Sequence, residues 1–285
     1  MAQCSTLNLP VDHVGLVARD LSELLAGFQR LGFAVTQPRS LMTSRETDGR
    51  VEEKGQQSAH IMFSQGYLEL TAVMGGAQGM HLEHYVGRPP GIHILAIRTE
   101  SARDAWEAVR RAGLNPSSCA ASVRHISYGQ TGDAHFEWFM FDDHEFPEAL
   151  VCLVDHLTPD LVFQPDVMVH PNGARVLAEV LLCVEDMRQA RGRFSKLEVT
   201  GSARAEGLAG LIICDWAGLE RRFPGLEFTP GRIAGVTIEV DDLEKAAELI
   251  FDEGIAISQN NAGEVWVSPQ DAGGALVAFR GIAAG

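Results

Sequence analysis

One pattern returns along this chain and limits what it can fold into. It is an apolar run, a residue able to cap a helix, apolar residues at helical spacing, and a glycine that stops the helix. "DHVGLVARDLSELLAGFQRLGF" shows it first. Asp20 with Glu23 makes a capping box, and Leu21, Leu24, Leu25, Phe28 and Leu31 form one helix face. Gly32 stands at the C-terminal stop. "IHILAIRTESARDAWEAVRRAGL" repeats this with Ser101 and Gly113, and "AGVTIEVDDLEKAAELIFDEGI" with Asp242 and Gly254. "AEVLLCVEDMRQARGRFSKLEV" is a blurred copy, with Asp186 as cap and no closing glycine.

Each helix is followed by β-rich sequence. "QSAHIMFSQGYLELTAVM" alternates on both sides of Gln65-Gly66, which predicts a hairpin. "DAHFEWFMF" and "ALVCLVDH" follow the second helix, and "EVWVSP" and "ALVAF" the fourth. The unit is strand–helix–three strands, so the fold class is α+β, with four such βαβββ modules paired into two domains. The N-terminal domain spans 8–160 and the C-terminal domain 175–285; the Pro-containing segment 161–174 links them.

Composition narrows the partners. A net charge of −15 disfavours nucleic acid and anionic membrane surfaces, both of which need a basic patch. No apolar run is long enough to span a bilayer, and the N-terminus lacks a secretory signal, so a cytoplasmic protein is expected. The five cysteines are scattered and odd in number, which argues against a disulfide framework and a thiolate metal site.

Strand parity points to chemistry. Val14, Leu16 and Ala18 suit packing on a helix, leaving His13, Gly15 and Val17 on the free face. Leu68, Leu70 and Ala72 likewise leave Glu69 and Thr71 free, and Ile92, Ile94 and Ala96 leave His93, Leu95 and Ile97. Counting seven back from Asp20 gives His13, and from Glu100 gives His93. The reading is that His13, Glu69 and His93 converge on a divalent ion, because a buried carboxylate needs a partner. The same count gives Glu179 and Gly235 in the second half, where no such site is expected.

These residues resemble the vicinal oxygen chelate superfamily, which includes glyoxalase I, extradiol dioxygenases and bleomycin-binding proteins. "DHVGLVARDL" resembles its first strand and helix start, "GYLELTAV" its glutamate-bearing fourth strand, and "GIHILAIRT" the first strand of the paired module. With "DHLTPDLVFQPDVMVHPNGA", the chain looks like bacterial glyoxalase-like proteins of tandem architecture. The resemblance implies ligands from the first and fourth strand of each module, and paired cups as a homodimer. The fourth position stays open among Glu148, Asp155 and His156, any of which would shuttle a proton or ligate. The metal stays open among Fe, Mn, Ni, Co and Zn.

The leading expectation is a metal-dependent lyase, isomerase or epimerase acting on a small oxygenated molecule through an enolate or oxyanion. An Fe(II) extradiol-type dioxygenase and a non-catalytic binding protein are the alternatives. His170 and Asn172 in "HPNGA" would contact substrate if that segment closed over the cup, although Asn-Gly reads first as a turn. His125 and Tyr128 could line the same mouth, although the spacing does not require it, and Asp142, Asp143, His144 and Glu145 read as a solvated loop.

Overall fold

The computed structural model describes residues 4–44, 51–73, 81–200 and 208–282. β1 (Cys4–Ala18) leads to α1 (Leu21–Arg30), β2 (Arg39–Ser44), β3 (Val51–Phe63), β4 (Gly66–Val73) and short α2 (Glu83–Val86). The unit returns as β5 (Gly91–Arg98), α3 (Ala102–Arg111), β6 (Ala120–Ile126), β7 (Gly132–Met140), β8 (Leu150–His156) and short α4 (Pro159–Val162). The second half holds β9 (Ala174–Cys183), α5 (Met187–Phe194), β10 (Ala209–Cys214) and α6 (Trp216–Arg222). It ends with β11 (Arg232–Val240), α7 (Leu243–Asp252), β12 (Ile257–Gln259), β13 (Val265–Val267) and β14 (Leu276–Gly281).

The helix boundaries follow the capping chemistry. Asp20 accepts from the Ser22 and Glu23 amides, Ser101 from Asp104, Asp186 from Gln189 and Asp242 from Lys245. Gly32, Gly113 and Gly254 end their helices at φ of 81, 80 and 74°, a region that suits glycine. The third unit departs from the expected pattern. Among the described residues it has only β9 and β10 as strands, and α6 stands where further strands would follow.

The first two units close on themselves. β1, β4, β3, β2, β6, β7, β8 and β5 pair in that order, and β5 pairs back to β1. Closure leaves no open edge in this ring. The second half is an open sheet, β10-β9-β11-β14-β13-β12, joined to the ring through β1–β10 and β5–β11. The β1–β10 junction sets Cys4 opposite Cys214, and a disulfide joins them. Spacing argued against any such bond; the two cysteines lie 210 residues apart, and only strand pairing makes them neighbours.

The β1–β5 pairing is the axis of an internal twofold. His13 faces Ala96 and Gly15 faces Ile94, so exchanging 13 with 94 and 15 with 96 reproduces the register. The strands cross so closely that a Cβ on Gly15 would lie 2.6 Å from Ile94 Cδ1. Outside the ring, Val14, Leu16, Leu68 and Leu70 pack with Phe28 of α1, and Leu95 and Ile97 with Val109 of α3. Inside, Val17, Tyr67, Ile94, Ala96, Cys152 and Val154 form a second cluster. β1 and β4 therefore show the faces expected of them. In β5, Ile94 and Ala96 turn inward, and Leu95 and Ile97 pack on the helix side, the reverse of the expectation.

Candidate functional site

A cavity opens inside the ring. Its lining is apolar and aromatic, with Leu41, Ile94, Leu150, Phe136 and Trp138 among its walls. His13, Gln56, Glu69, Ser122 and Arg124 supply polar groups.

The centre of the site is built on consecutive residues of β1. Asp12 is wholly buried, and its Oδ1 lies 2.7 Å from His13 Nδ1. The same oxygen lies 3.1 Å from His156 Nε2, and Arg98 Nε donates to the other oxygen at 2.6 Å. Burial alone would raise the Asp12 pKa. The electrostatic pull of His156, the hydrogen bonds from His13 and His156, and Arg98 outweigh it and hold the carboxyl well below the ordinary range. As a carboxylate, Asp12 accepts the Nδ1 proton of His13 and leaves Nε2 to face the cavity. The ring is fixed further by stacking on Tyr67, with centroids 4.2 Å apart.

His13 Nε2 sits 3.9 Å from Glu69 Oε2. That gap is too wide for a direct hydrogen bond, and a substrate oxygen at about 2.8 Å from each would bridge it. Glu69 is oriented from the other side by Gln56, whose Nε2 donates to Oε1 at 3.1 Å. Arg124 enters from β6 with its side chain among Tyr67, Phe136 and His60. Burial, followed by the neighbouring Arg124 charge, lowers the His60 pKa well below the usual value, so this imidazole is neutral. Burial likewise raises the Tyr67 phenol well above its ordinary value.

The structure brings His13 and Glu69 together and places His93 elsewhere. His93 Nε2 donates to the Pro89 carbonyl at 2.8 Å, and the ring borders a separate cavity with Arg88, Thr229 and Arg232. Burial brings its pKa down to about 4. The reason for the displacement is one residue of register. The cap of α3 is Ser101, not Glu100, and seven back from Ser101 is Ile94.

The remaining predicted residues are held by local structure. Glu148 is ion-paired with Arg193 of α5. Asp155 accepts from the Ala102 amide at 3.4 Å at the start of α3. His156 lies behind Asp12 and touches Phe136 and Phe163. His170 uses both nitrogens, on the Met62 carbonyl at 2.8 Å and the Ala34 amide at 3.1 Å. Asn172 donates to the Leu31 carbonyl and accepts from the Ala174 amide, so this segment ties α1 to β9. Asp142, Asp143 and His144 cluster in a partly exposed loop and form the only trio of such ligand atoms within 4.8 Å of one another among the described residues.

Sequence reasoning missed Asp12, Gln56 and Arg124. The signal for Asp12 was its place beside His13. The signal for Arg124 was alternation in "AASVRHI", which sets Ser122, Arg124 and Ile126 on the buried face.

A closed ring from two strand–helix–strand units, with a histidine on the first strand and a glutamate on the fourth, defines a glyoxalase-type cup. The chain belongs to the glyoxalase-like domain family, which matches residues 11–198, within the vicinal oxygen chelate superfamily. Among solved structures it is similar to a triple mutant of 4-hydroxymandelate synthase from Streptomyces coelicolor. The two share 12% identity over 96% of this chain and 93% of the other, with a TM-score of 0.59. It is also similar to a hypothetical protein from Staphylococcus aureus, at 8% identity over 95% and 99% of the two chains and a TM-score of 0.60. A fusion of a xylose isomerase-like TIM barrel with 4-hydroxyphenylpyruvate dioxygenase matches at 12% identity and a TM-score of 0.58, over 99% of this chain and 50% of that one. At these identities the likeness is one of fold. No curated protein sequence matches the chain.

The superfamily's metal positions are the first and fourth strands of each module. Applying the twofold to His13 and Glu69 gives Ile94 and Cys152, since Gly15–Glu69 and Ala96–Cys152 are corresponding register pairs. All four residues line the cavity. Ile94 offers no donor, and Cys152 stands as a single thiol where the first module has Glu69. His13, Glu69 and Cys152 do not form a group whose ligand atoms lie within 4.8 Å of one another among the described residues, so the residues present do not fit a three- or four-ligand ion.

Proposed function

We propose that the ring is the active site of an enzyme that moves a proton on a small oxygenated molecule, with His13 as the acid–base group. Lyase, isomerase or epimerase outcomes share this step, and the reading assigns no metal to it. The observation that carries it is the Asp12–His13–Glu69 arrangement: an imidazole fixed in orientation by a buried carboxylate, its free nitrogen 3.9 Å from a second carboxylate.

In the forward step a substrate C–H beside a carbonyl loses its proton to His13 Nε2. The C–H electron pair moves into the enolate, whose oxygen carries the charge. Return of the proton to the same carbon completes exchange or epimerisation, and return to another carbon completes isomerisation. In elimination the enolate pair forms the C=C bond as an oxygen substituent leaves the neighbouring carbon, and the proton goes to that departing oxygen. Glu69, held by Gln56, is placed to bond a substrate hydroxyl or take the proton onward. The apolar walls exclude water and strengthen each of these interactions.

The test is deuterium incorporation, read by NMR, into a panel of small ketones, aldehydes and hydroxy acids in D2O. Incorporation into at least one member is expected, reduced about 10²-fold or more in His13→Ala. A panel in which no member exchanges, or exchange indifferent to His13→Ala, overturns the proposal. A non-catalytic cup is the second reading, favoured by the largely apolar lining, and it predicts binding with no exchange.

A further inference from the structure

We infer that the ring takes a ligand bearing a carboxylate on a small apolar or aromatic body, docked on the guanidinium of Arg124. This deepens the proposed function and rests on the ring being the ligand site.

Arg124 is 6% exposed and lines the cavity from the inward face of β6. One of its terminal nitrogens meets His60 Nε2, a neutral acceptor. Its Nε and Nη2 are buried without a hydrogen-bond partner among the described residues. No carboxylate of those residues lies within 4.0 Å to form an ion pair with it. A buried guanidinium that no described carboxylate pairs with costs folding free energy, so its place in a cavity wall points to a ligand.

The unmet pair of nitrogens says which ligand. Nε and Nη2 form the side-on edge of the fork that matches the two oxygens of a carboxylate. The chain carries this contact elsewhere. Arg222 in the second half presents the same edge to Glu264, with Nε donating at 2.9 Å and Nη2 at 2.6 Å. In the ring no carboxylate of the described residues meets that edge, and Arg124 lines the cavity. The guanidinium carbon lies 5.7 Å from the Tyr67 centroid and 5.1 Å from that of Phe136, so a bound acid would lay its body against aromatic rings. Tyr67 also stacks on His13, which puts the carboxylate dock about one aromatic ring away from the proton-transfer group.

Calorimetric titration with benzoate and with benzamide, its uncharged counterpart of the same shape, tests this. The full chain is expected to bind benzoate at least tenfold tighter than benzamide. Arg124→Met should abolish that preference and melt no lower than the parent. Arg124→Lys, which keeps the charge but loses the fork, should shrink it. Equal affinity for the two probes in the parent chain, heat from neither at millimolar concentration, or a preference that survives Arg124→Met overturns the inference. If both Arg124 variants fail to fold, the parent's preference between probes decides alone. Benzoate preference without His13-dependent exchange defeats the proton-transfer reading and leaves this one standing. Exchange of neutral carbonyl compounds without benzoate preference does the reverse.

Discussion

The two halves of this molecule face the same problem and solve it differently. Each sets an arginine among the inward residues of a curved sheet. In the second half Arg222 donates to Glu179 at 2.6 Å and to Glu264 through both oxygens, and Arg280 joins Glu179 to Glu239. Glu179 occupies the position that corresponds to His13, seven residues before the Asp186 cap. Burial would raise its pKa; Arg222 and Arg280 more than offset that and lower it. This half is internally neutralised. In the ring, Arg124 has no carboxylate of the described residues within 4.0 Å, and His13 Nε2 and Glu69 Oε2 stand 3.9 Å apart. A polar network that is complete serves the fold, and one that is incomplete beside a cavity serves a ligand.

Breaking the completed network should have the larger effect on stability. Arg222→Met leaves Glu179 and Glu264 without their shared counter-charge and should cost about 3 kcal/mol in urea unfolding, reduced somewhat by partial exposure. Arg124→Met removes a guanidinium that no described carboxylate pairs with and should leave stability unchanged or raised. Equal losses from the two substitutions would erase the distinction between the halves. Glu179→Ala should leave the exchange activity of the ring untouched while lowering stability, the opposite of His13→Ala.

A smaller effect comes from pH. Burial lowers the pKa of His60, His93 and His170 in the folded chain, His93 to about 4. A base with a depressed folded pKa binds fewer protons folded than unfolded, so stability is complete above the unfolded value near 6.5 and declines as pH falls below it. Two of these histidines belong to the loop and inter-half contacts, and His60 belongs to the ring. Melting temperature should fall steadily from pH 6.5 towards 4, and His170→Asn should flatten part of that slope. A melting temperature unchanged across this range would contradict the buried neutral imidazoles.

Much of the fold was legible because caps and stops are local. Asp20, Ser101, Asp186 and Asp242 each accept the amide that capping requires, and the hairpin between β3 and β4 turns at the residues around Gln65. The faces of β1 and β4 were legible because each carries a polar residue against an apolar set. β5 was not. "GIHILAIR" is apolar on both faces and buried on both, so only the counting anchor decided its parity. Choosing Glu100 over Ser101 then sent His93 into the ring and Ile94 out of it. The Cys4–Cys214 bond was hidden for a different reason: it depends on a pairing between strands far apart in sequence.

The account stands on the ring around His13 being where a ligand goes. Imidazole ¹⁵N spectra of the uniformly labelled chain, recorded with and without saturating benzoate, test this directly. The account predicts that the His13 and His60 resonances shift while those of His93 and His170 stay in place. Shifts confined to His93, or no histidine shift at a benzoate concentration that saturates binding, would contradict it.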